Sequence, residues 1–399
     1  MANSAERLRH VAFGLTCACA VSPLISIAAS HILLGAAVLA ILLARVPWRF
    51  TPAWPPLAAF IGWTVTSWLL GPDLRSGLPQ IRKFYVFLAL VVTATMIREL
   101  SHIRALVWGW VTAATASSLW GLWQFYSKWE HARQTGENFY LAYVASRITG
   151  FMSHWMTFSG VIMVAALFAF ALLLFGEKDL KRRVGLAVAL AVMALALALS
   201  FTRGAWLGAL GGAAYLLWSW RRAWLLILPG VLVVGFLISP QPLRERVRSF
   251  AQPHGDRDSN AHRRATLLIG LEMIKAHPWF GVGLEQVGRQ YKAYIPPALP
   301  RLPDGYYGHL HNIYIHYAAE RGIPASLAML WFLIAVPAEF LRALRRQPNP
   351  DSQFVLHGAV AVTIGILVTG CFEYNLGDSE VLQLYLTSVA FGFAAVKRV

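Results

Sequence analysis

Long apolar runs recur along this chain, separated by short polar connections, and the runs carry almost no charge at their centres. A helix needs about 20 mostly apolar residues to cross a bilayer. That length picks out twelve segments, at 11–29, 31–46, 54–70, 82–97, 103–125, 153–175, 184–201, 204–220, 223–239, 323–343, 354–371 and 380–396. The pattern therefore predicts an all-α polytopic membrane protein with about 12 transmembrane helices. It divides into nine spans in 1–239, one large loop at 240–322, and three spans in 323–399. Arg7 and Arg9 precede the first run, but its apolar stretch exceeds the roughly 7–15 residues of a signal-peptide core. A second run follows at once, so it reads as an uncleaved first span.

Composition agrees. Of 399 residues, 57% are apolar and 14% charged, against roughly a quarter charged in a soluble domain. This excludes a disordered chain and a solvated nucleic-acid-binding domain. Three cysteines, Cys17, Cys19 and Cys371, are too few for a disulfide scaffold.

Charge orients the spans, because Lys and Arg collect in short cytoplasmic connections. With the N-terminus inside, those connections hold Arg7 and Arg9, Arg45 and Arg49, Arg98 and Arg104, Lys178, Lys181, Arg182 and Arg183, Arg221 and Arg222, and Arg342, Arg345 and Arg346. Lys397 and Arg398 close the chain on the same side. Both termini are then cytoplasmic. The other eighteen of the 35 basic residues fall on or near the outer face. Most lie in 240–322, where a long loop crosses regardless of charge: Arg244, Arg246, Arg248, Arg257, Arg263, Arg264, Lys275, Arg289, Lys292, Arg301 and Arg321. Lys128, Arg133 and Arg147 lie in a smaller outer loop. A solvated face accounts for some of them. A concave anion site accounts for the density, since the guanidinium fork pairs bidentately with phosphate.

Arg203, in Ser200-Phe201-Thr202-Arg203-Gly204, marks a tight outer turn between two apolar runs, and Arg147 just precedes the sixth span. Snorkelling to lipid headgroups is the plain alternative for both. Within the large loop, apolar residues at helical spacing follow Arg263 and Arg264, which are expected to open a helix whose N-terminus favours phosphate. His277-Pro278-Trp279-Phe280-Gly281-Val282-Gly283 is a breaker and a Gly-rich turn. The densest polar cluster is Gly308-His309-Leu310-His311-Asn312-Ile313-Tyr314-Ile315-His316, leading to Glu320-Arg321-Gly322. A metal site from His309, His311 and His316 is one reading, weakened because positions two apart do not share a helix face. His311 as a helix cap is another, and His as base or phosphate partner is the third.

On these residues the chain resembles the O-antigen ligase and polymerase superfamily of bacterial surface-polysaccharide assembly. Its members carry His-Asn, nine residues, then Gly-x-x-Gly. Here His311-Asn312 is followed by nine residues and Gly322, with Ala325 at the last Gly position. The superfamily's Arg at an outer-edge span is similar to Arg203. Its Arg opening a loop helix ahead of a Pro-Trp/Leu-Phe-Gly-x-Gly segment is similar to Arg264, with Pro278 to Gly283 downstream. The resemblance implies a GT-C-like inner-membrane enzyme with its active site in the periplasm. It would transfer a glycan from undecaprenyl pyrophosphate to lipid A–core oligosaccharide, among membrane lipids, without a metal or other cofactor.

His311, Arg203 and Arg264 are then the expected catalytic residues. Arg147, Arg263, Arg289, His309, Asn312 and Arg321 are expected to bind substrate. Arg147, Arg203 and Arg264 would neutralise the pyrophosphate leaving group in place of a metal, and His311 would deprotonate the acceptor hydroxyl. Glu272, Glu285 and Glu320 are rival bases. An O-antigen polymerase and a protein O-oligosaccharyltransferase share this chemistry. A lipid-linked glycan transporter is a different class, one that places charge near the bilayer midplane.

Overall fold

The computed structural model describes residues 2–249, 259–299, 301–303, 305–346 and 349–396. Arg257, Asp304, Lys397 and Arg398 lie outside them. The described residues are helical and contain no strand. Six helices among them are long and apolar enough to cross a membrane: Leu74–Met96, Trp155–Gly176, Leu180–Leu199, Ile323–Leu344, Pro350–Gly370 and Ser379–Val396. Ile27–Leu43 and Trp224–Ile238 are apolar but shorter. The chain is a helical membrane protein.

The helices depart from the apolar runs where local chemistry intervenes. Ala2–Val21 begins ahead of its run and breaks at Ser22-Pro23, because proline removes a backbone donor. Asp73 caps a helix that starts at Leu74, ahead of the apolar residues, by accepting from the Arg75 and Ser76 backbone N–H groups. Leu100–Thr135 runs on past its apolar stretch to end at Gly136, in the left-handed conformation with φ 72°.

The centre of the bundle is the Pro350–Gly370 helix, packed against Arg203–Trp220, Trp155–Ala171 and Ser379–Val396. The Ser379–Val396 helix is buried along nearly its whole length. Close approach depends on Gly208 and Gly212, where a Cβ would meet the backbone of Gly365 and Ala361 at 2.7 Å. In contrast, Trp224–Ile238 buries no residue.

Residues 240–322 hold the helices Gln241–Arg248, Ser259–Ala276, Val287–Gln290 and Ile313–Arg321. Ala265, Ile269, Met273, Val282, Val287, Tyr307, Leu310 and Ala319 form a small core of their own. This core is docked on the bundle. Ser67 Oγ donates to Phe280 O at 2.6 Å, Trp63 Nε1 donates to Trp279 O at 2.9 Å, and the Trp63 and Phe280 rings stack at 5.4 Å.

The Gly-rich turn and the polar cluster meet here. Val282 N donates to Ala319 O, Gly283 N to Glu320 O and Ile323 N to Pro278 O, at 2.8–3.1 Å. Gly322, at φ 91°, crosses so close to Trp279 that a Cβ would collide with its carbonyl. Gly281, at φ 66°, also crosses too close to the Glu320 backbone for a Cβ, which would meet it at 2.3 Å. Both positions therefore require glycine for conformation and for space. Ala325 is fully buried.

Candidate active site

Helix ends and the large loop on one side of the bundle surround a cleft of about 890 Å³. That volume is enough to hold a sugar and its pyrophosphate. Arg147, His154, His262, Arg263, His309, His311, Glu320, Glu373 and Asp378 all line it.

One wall is cationic. Phe201 sits in the left-handed region at φ 54°, in the turn between Leu180–Leu199 and Arg203–Trp220. Its carbonyl accepts from Arg147 Nη1 at 3.4 Å and from Arg246 Nε at 3.2 Å. Arg147 also donates to Val144 O and lies over the Trp155 ring, 5.1 Å from its centroid. Burial, then repulsion from Arg246 and Arg263, pulls the Arg147 pKa down to about 9. Arg203 is buried and lies outside the lining. It donates to Ser249 O at 3.2 Å, to Ser249 Oγ at 3.3 Å and to Asn260 Oδ1. It thus ties the turn to the large loop.

The same cleft is lined by His311. Asn312, rather than His311, caps the Ile313–Arg321 helix: its Oδ1 accepts from the Tyr314 and Ile315 N–H groups, and its Nδ2 donates to Cys371 O at 3.1 Å. His311 is thereby free of capping duty and adopts φ 48°. A non-glycine residue in that region is strained, and such strain gathers at functional sites. Its Nδ1 lies 3.7 Å from Glu373 Oε2, and the other oxygen of Glu373 is held by Arg263. Burial pushes the Glu373 pKa up, but Arg263 and His311 more than offset this and hold the carboxyl below its usual range. The His309 and His262 rings pack on His311 at 4.3 and 5.2 Å. Burial and the neighbouring His311 pull His309 down to about 3 and His262 to about 4, so both are neutral near pH 7.

A second ionic group lies deeper. Glu320 accepts from Arg321 Nε at 3.0 Å and from Glu285 N at 3.0 Å, with His316 Nε2 at 3.6 Å. Burial raises its pKa, yet Arg321 and His316 together bring it to about 2. Arg321 in turn lies over the Tyr317 and Phe60 rings and donates to Gln80 Oε1 at 3.3 Å. Elsewhere in the lining, Asp378 accepts from Thr157 Oγ1 at 3.0 Å, and burial raises its pKa to about 7.

The structure therefore brings His311, His309, Arg147 and Arg263 into one cleft, whereas Arg203 is outside the lining between Thr202 and Ala205, which are in it. It leaves others outside the lining. The helix carrying Arg263 and Arg264 begins at Ser259, so these residues sit in its second turn and do not open it. Arg264 is exposed. Arg289 is engaged by Asp73 at 2.9 Å on the surface, Asn312 is a cap, and Arg321 is committed to Glu320. Of the rival bases, Glu272 is tied to Lys275, and Glu320 is ion-paired. Glu285 lines the cleft and accepts from Gln80. Sequence reasoning missed Glu373, Asp378, His154 and His262. Glu373 and Asp378 stand in the short connection after Pro350–Gly370, and two acids there are conspicuous among only 19 in the chain.

Among the described residues no group of three His, Cys, Asp or Glu side chains is placed to hold a metal ion. Residues 186–330 match the O-antigen ligase family. Its members are glycosyltransferase-like enzymes of lipopolysaccharide assembly. The O-antigen ligase segment contains Arg203, His262, Arg263, His311 and Glu320, whereas Arg147, Glu373 and Asp378 come from flanking helices and connections. No curated protein matches the chain.

Proposed function

We propose that the protein is an O-antigen ligase of the bacterial inner membrane. It moves a glycan from undecaprenyl pyrophosphate to a sugar hydroxyl of lipid A–core oligosaccharide. The reading takes the cleft side as periplasmic and both termini as cytoplasmic, with twelve spans and residues 240–322 as the outer loop. The cleft is lined by the large loop together with helix ends and connections that the basic connections assign to the outer face, which supports that orientation.

The observation that carries the proposal is that Arg147, one of two arginines gathered at Phe201, lines the same cleft as the His311–Glu373 pair. A pyrophosphate beside Arg147 would relieve the repulsion among Arg147, Arg246 and Arg263. In the reaction His311 takes the acceptor proton as the hydroxyl oxygen bonds to the anomeric carbon. The bond to pyrophosphate breaks on the opposite face, so the centre inverts. Arg147 meets the developing phosphate charge directly. Arg203 adds positive potential from outside the lining while fixing Ser249 and Asn260. Glu373 holds the Nδ1 side of His311, leaving Nε2 as the base, and stabilises the imidazolium that forms. His309 and His262, kept neutral, add no charge beside it. Arg263 serves through Glu373, and Arg264 has no direct part. No metal is required, and transfer should survive EDTA.

The test is the lipopolysaccharide of a deletion strain. Loss of all long chains with core intact is expected. A single repeat unit remaining on the core would make the enzyme a polymerase.

A further inference from the structure

At the end of the bundle opposite the cleft lies a second cavity of about 320 Å³, unrelated to the transfer site. It is lined by three segments: the stretch Arg49 to Pro52, the end of the Leu88–Met96 helix with Ile97 and Arg98 just beyond it, and the last turns of Ser379–Val396. Its lining is two-sided. Ala94, Ile97, Ala390, Phe393 and Ala394 make it apolar within, and Arg49 and Arg98 add two guanidinium groups.

Both residues are exposed, so the two charges stand at the rim of the cavity. Arg98 donates from Nε to Thr95 O at 3.0 Å, and the Arg49 backbone N–H donates to Thr95 Oγ1 at 3.1 Å. This fixes the start of both side chains beside the same threonine. No carboxylate pairs with either guanidinium among the described residues, although the same end of the bundle pairs Arg104 with Asp351 and Glu177. Partial burial and the nearby Arg49 act together against the charge on Arg98. A third group stands with them: Thr51 Oγ1 is buried in the same lining without a hydrogen-bond partner. A buried hydroxyl left unpaired costs about 1–3 kcal/mol. Two like charges and an unpaired donor around one apolar cavity describe the complement of a single molecule, an anion carrying a hydrocarbon tail.

We propose that this cavity binds a phosphate group through Arg49, Arg98 and Thr51. The apolar lining favours an anionic phospholipid as its source, with the first methylenes of a chain against Ala390, Phe393 and Ala394. The phosphate takes two guanidinium forks and the Thr51 hydroxyl. The lipid is a bound structural ligand and takes no part in glycan transfer. Basic pockets between membrane helices on the cytoplasmic side are a known setting for lipid headgroups of this charge.

The test is binding of short-chain phosphatidylglycerol to the purified full-length protein in neutral detergent, measured by native mass spectrometry. Phosphatidylcholine and inorganic phosphate are run in parallel. Phosphatidylglycerol should bind more tightly than phosphatidylcholine. The double variant Arg49→Gln/Arg98→Gln should weaken it by at least about tenfold, as expected for the loss of charge-assisted bonds. Arg49→Lys/Arg98→Lys, which keeps the charge and guards against a folding artefact, should keep most of the preference for phosphatidylglycerol. Ala394→Trp fills the apolar part and should weaken phosphatidylglycerol while leaving inorganic phosphate unaffected. Inorganic phosphate binding as tightly as phosphatidylglycerol would keep the phosphate site and assign it to a soluble phosphate. Unchanged phosphatidylglycerol binding in the double Gln variant, or equal binding of phosphatidylcholine, overturns the proposal.

Discussion

Nδ1 of His311 stands 3.7 Å from Oε2 of Glu373, and the other oxygen of that carboxylate is held by Arg263. The imidazole is thus backed by a buried, ionised acid that is itself anchored. Glu373→Gln keeps the size and removes the charge that stabilises an imidazolium. Transfer should fall by at least roughly tenfold while donor binding is kept. Single-turnover rates with a lipid-linked donor check this, and an unchanged rate would remove Glu373 from the mechanism.

Arg203 joins Ser249 and Asn260 through separate nitrogens of one guanidinium. Lysine keeps the charge but cannot span both partners. Arg203→Lys should therefore fail nearly as badly as Arg203→Ala, with donor affinity weakened by about tenfold or more. Full donor binding in Arg203→Lys would show that charge alone matters there.

Asp378 has its pKa raised by burial from 3.8 to about 7. Below pH 4 the folded and unfolded states both hold the proton. Between pH 4 and 7 the unfolded chain releases it while the folded protein keeps it, so stability declines as pH rises through this window and levels off above 7. Asp378→Asn cannot ionise. It should lose this component of the pH dependence and be more stable than the parent at pH 8, by roughly 1–4 kcal/mol. Melting temperatures in detergent from pH 4 to 8 provide the comparison. Parallel curves for the two proteins would show that Asp378 is ionised throughout.

Orientation is open to direct chemistry. With Cys17, Cys19 and Cys371 first replaced, a cysteine at the exposed Lys292 should react with an impermeant thiol reagent in cells whose outer membrane alone is permeabilised. A cysteine at the exposed Lys181 should react only after the inner membrane is broken. The reverse pattern would place the cleft on the cytoplasmic side.

Much of the helical layout was legible because lipid-facing and buried positions are both apolar, so span-length runs stand out whatever they pack against. Arg147 and Arg203 were legible because each flanks such a run with a costly group, and His311 because it stands in the densest polar cluster of the large loop and in the motif shared with the superfamily. The choice between Arg263 and Arg264 was not. Arg264 shares its helix stripe with Leu267 and Leu271, which look like a buried face and are exposed, whereas Arg263 shares its stripe with buried Thr266 and Gly270. Only the tertiary packing settles which stripe faces the bundle. Glu373 escaped for a related reason: its partners Arg263 and His311 are far away in sequence, and nothing local marks a carboxylate that pairs across the fold.

The most direct test of the account is donor binding measured beside single-turnover transfer for His311→Ala and Arg147→Lys. If His311 is the base and Arg147 meets the pyrophosphate, His311→Ala should bind the undecaprenyl-pyrophosphate glycan nearly as the parent does. It should lose about 10²–10⁴ in the transfer step, with part of the loss recovered at higher pH. Arg147→Lys should lose donor affinity as well as rate. A His311→Ala protein that no longer binds donor, beside an Arg147→Lys protein that binds it normally, would contradict the account and place His311 in the pyrophosphate site.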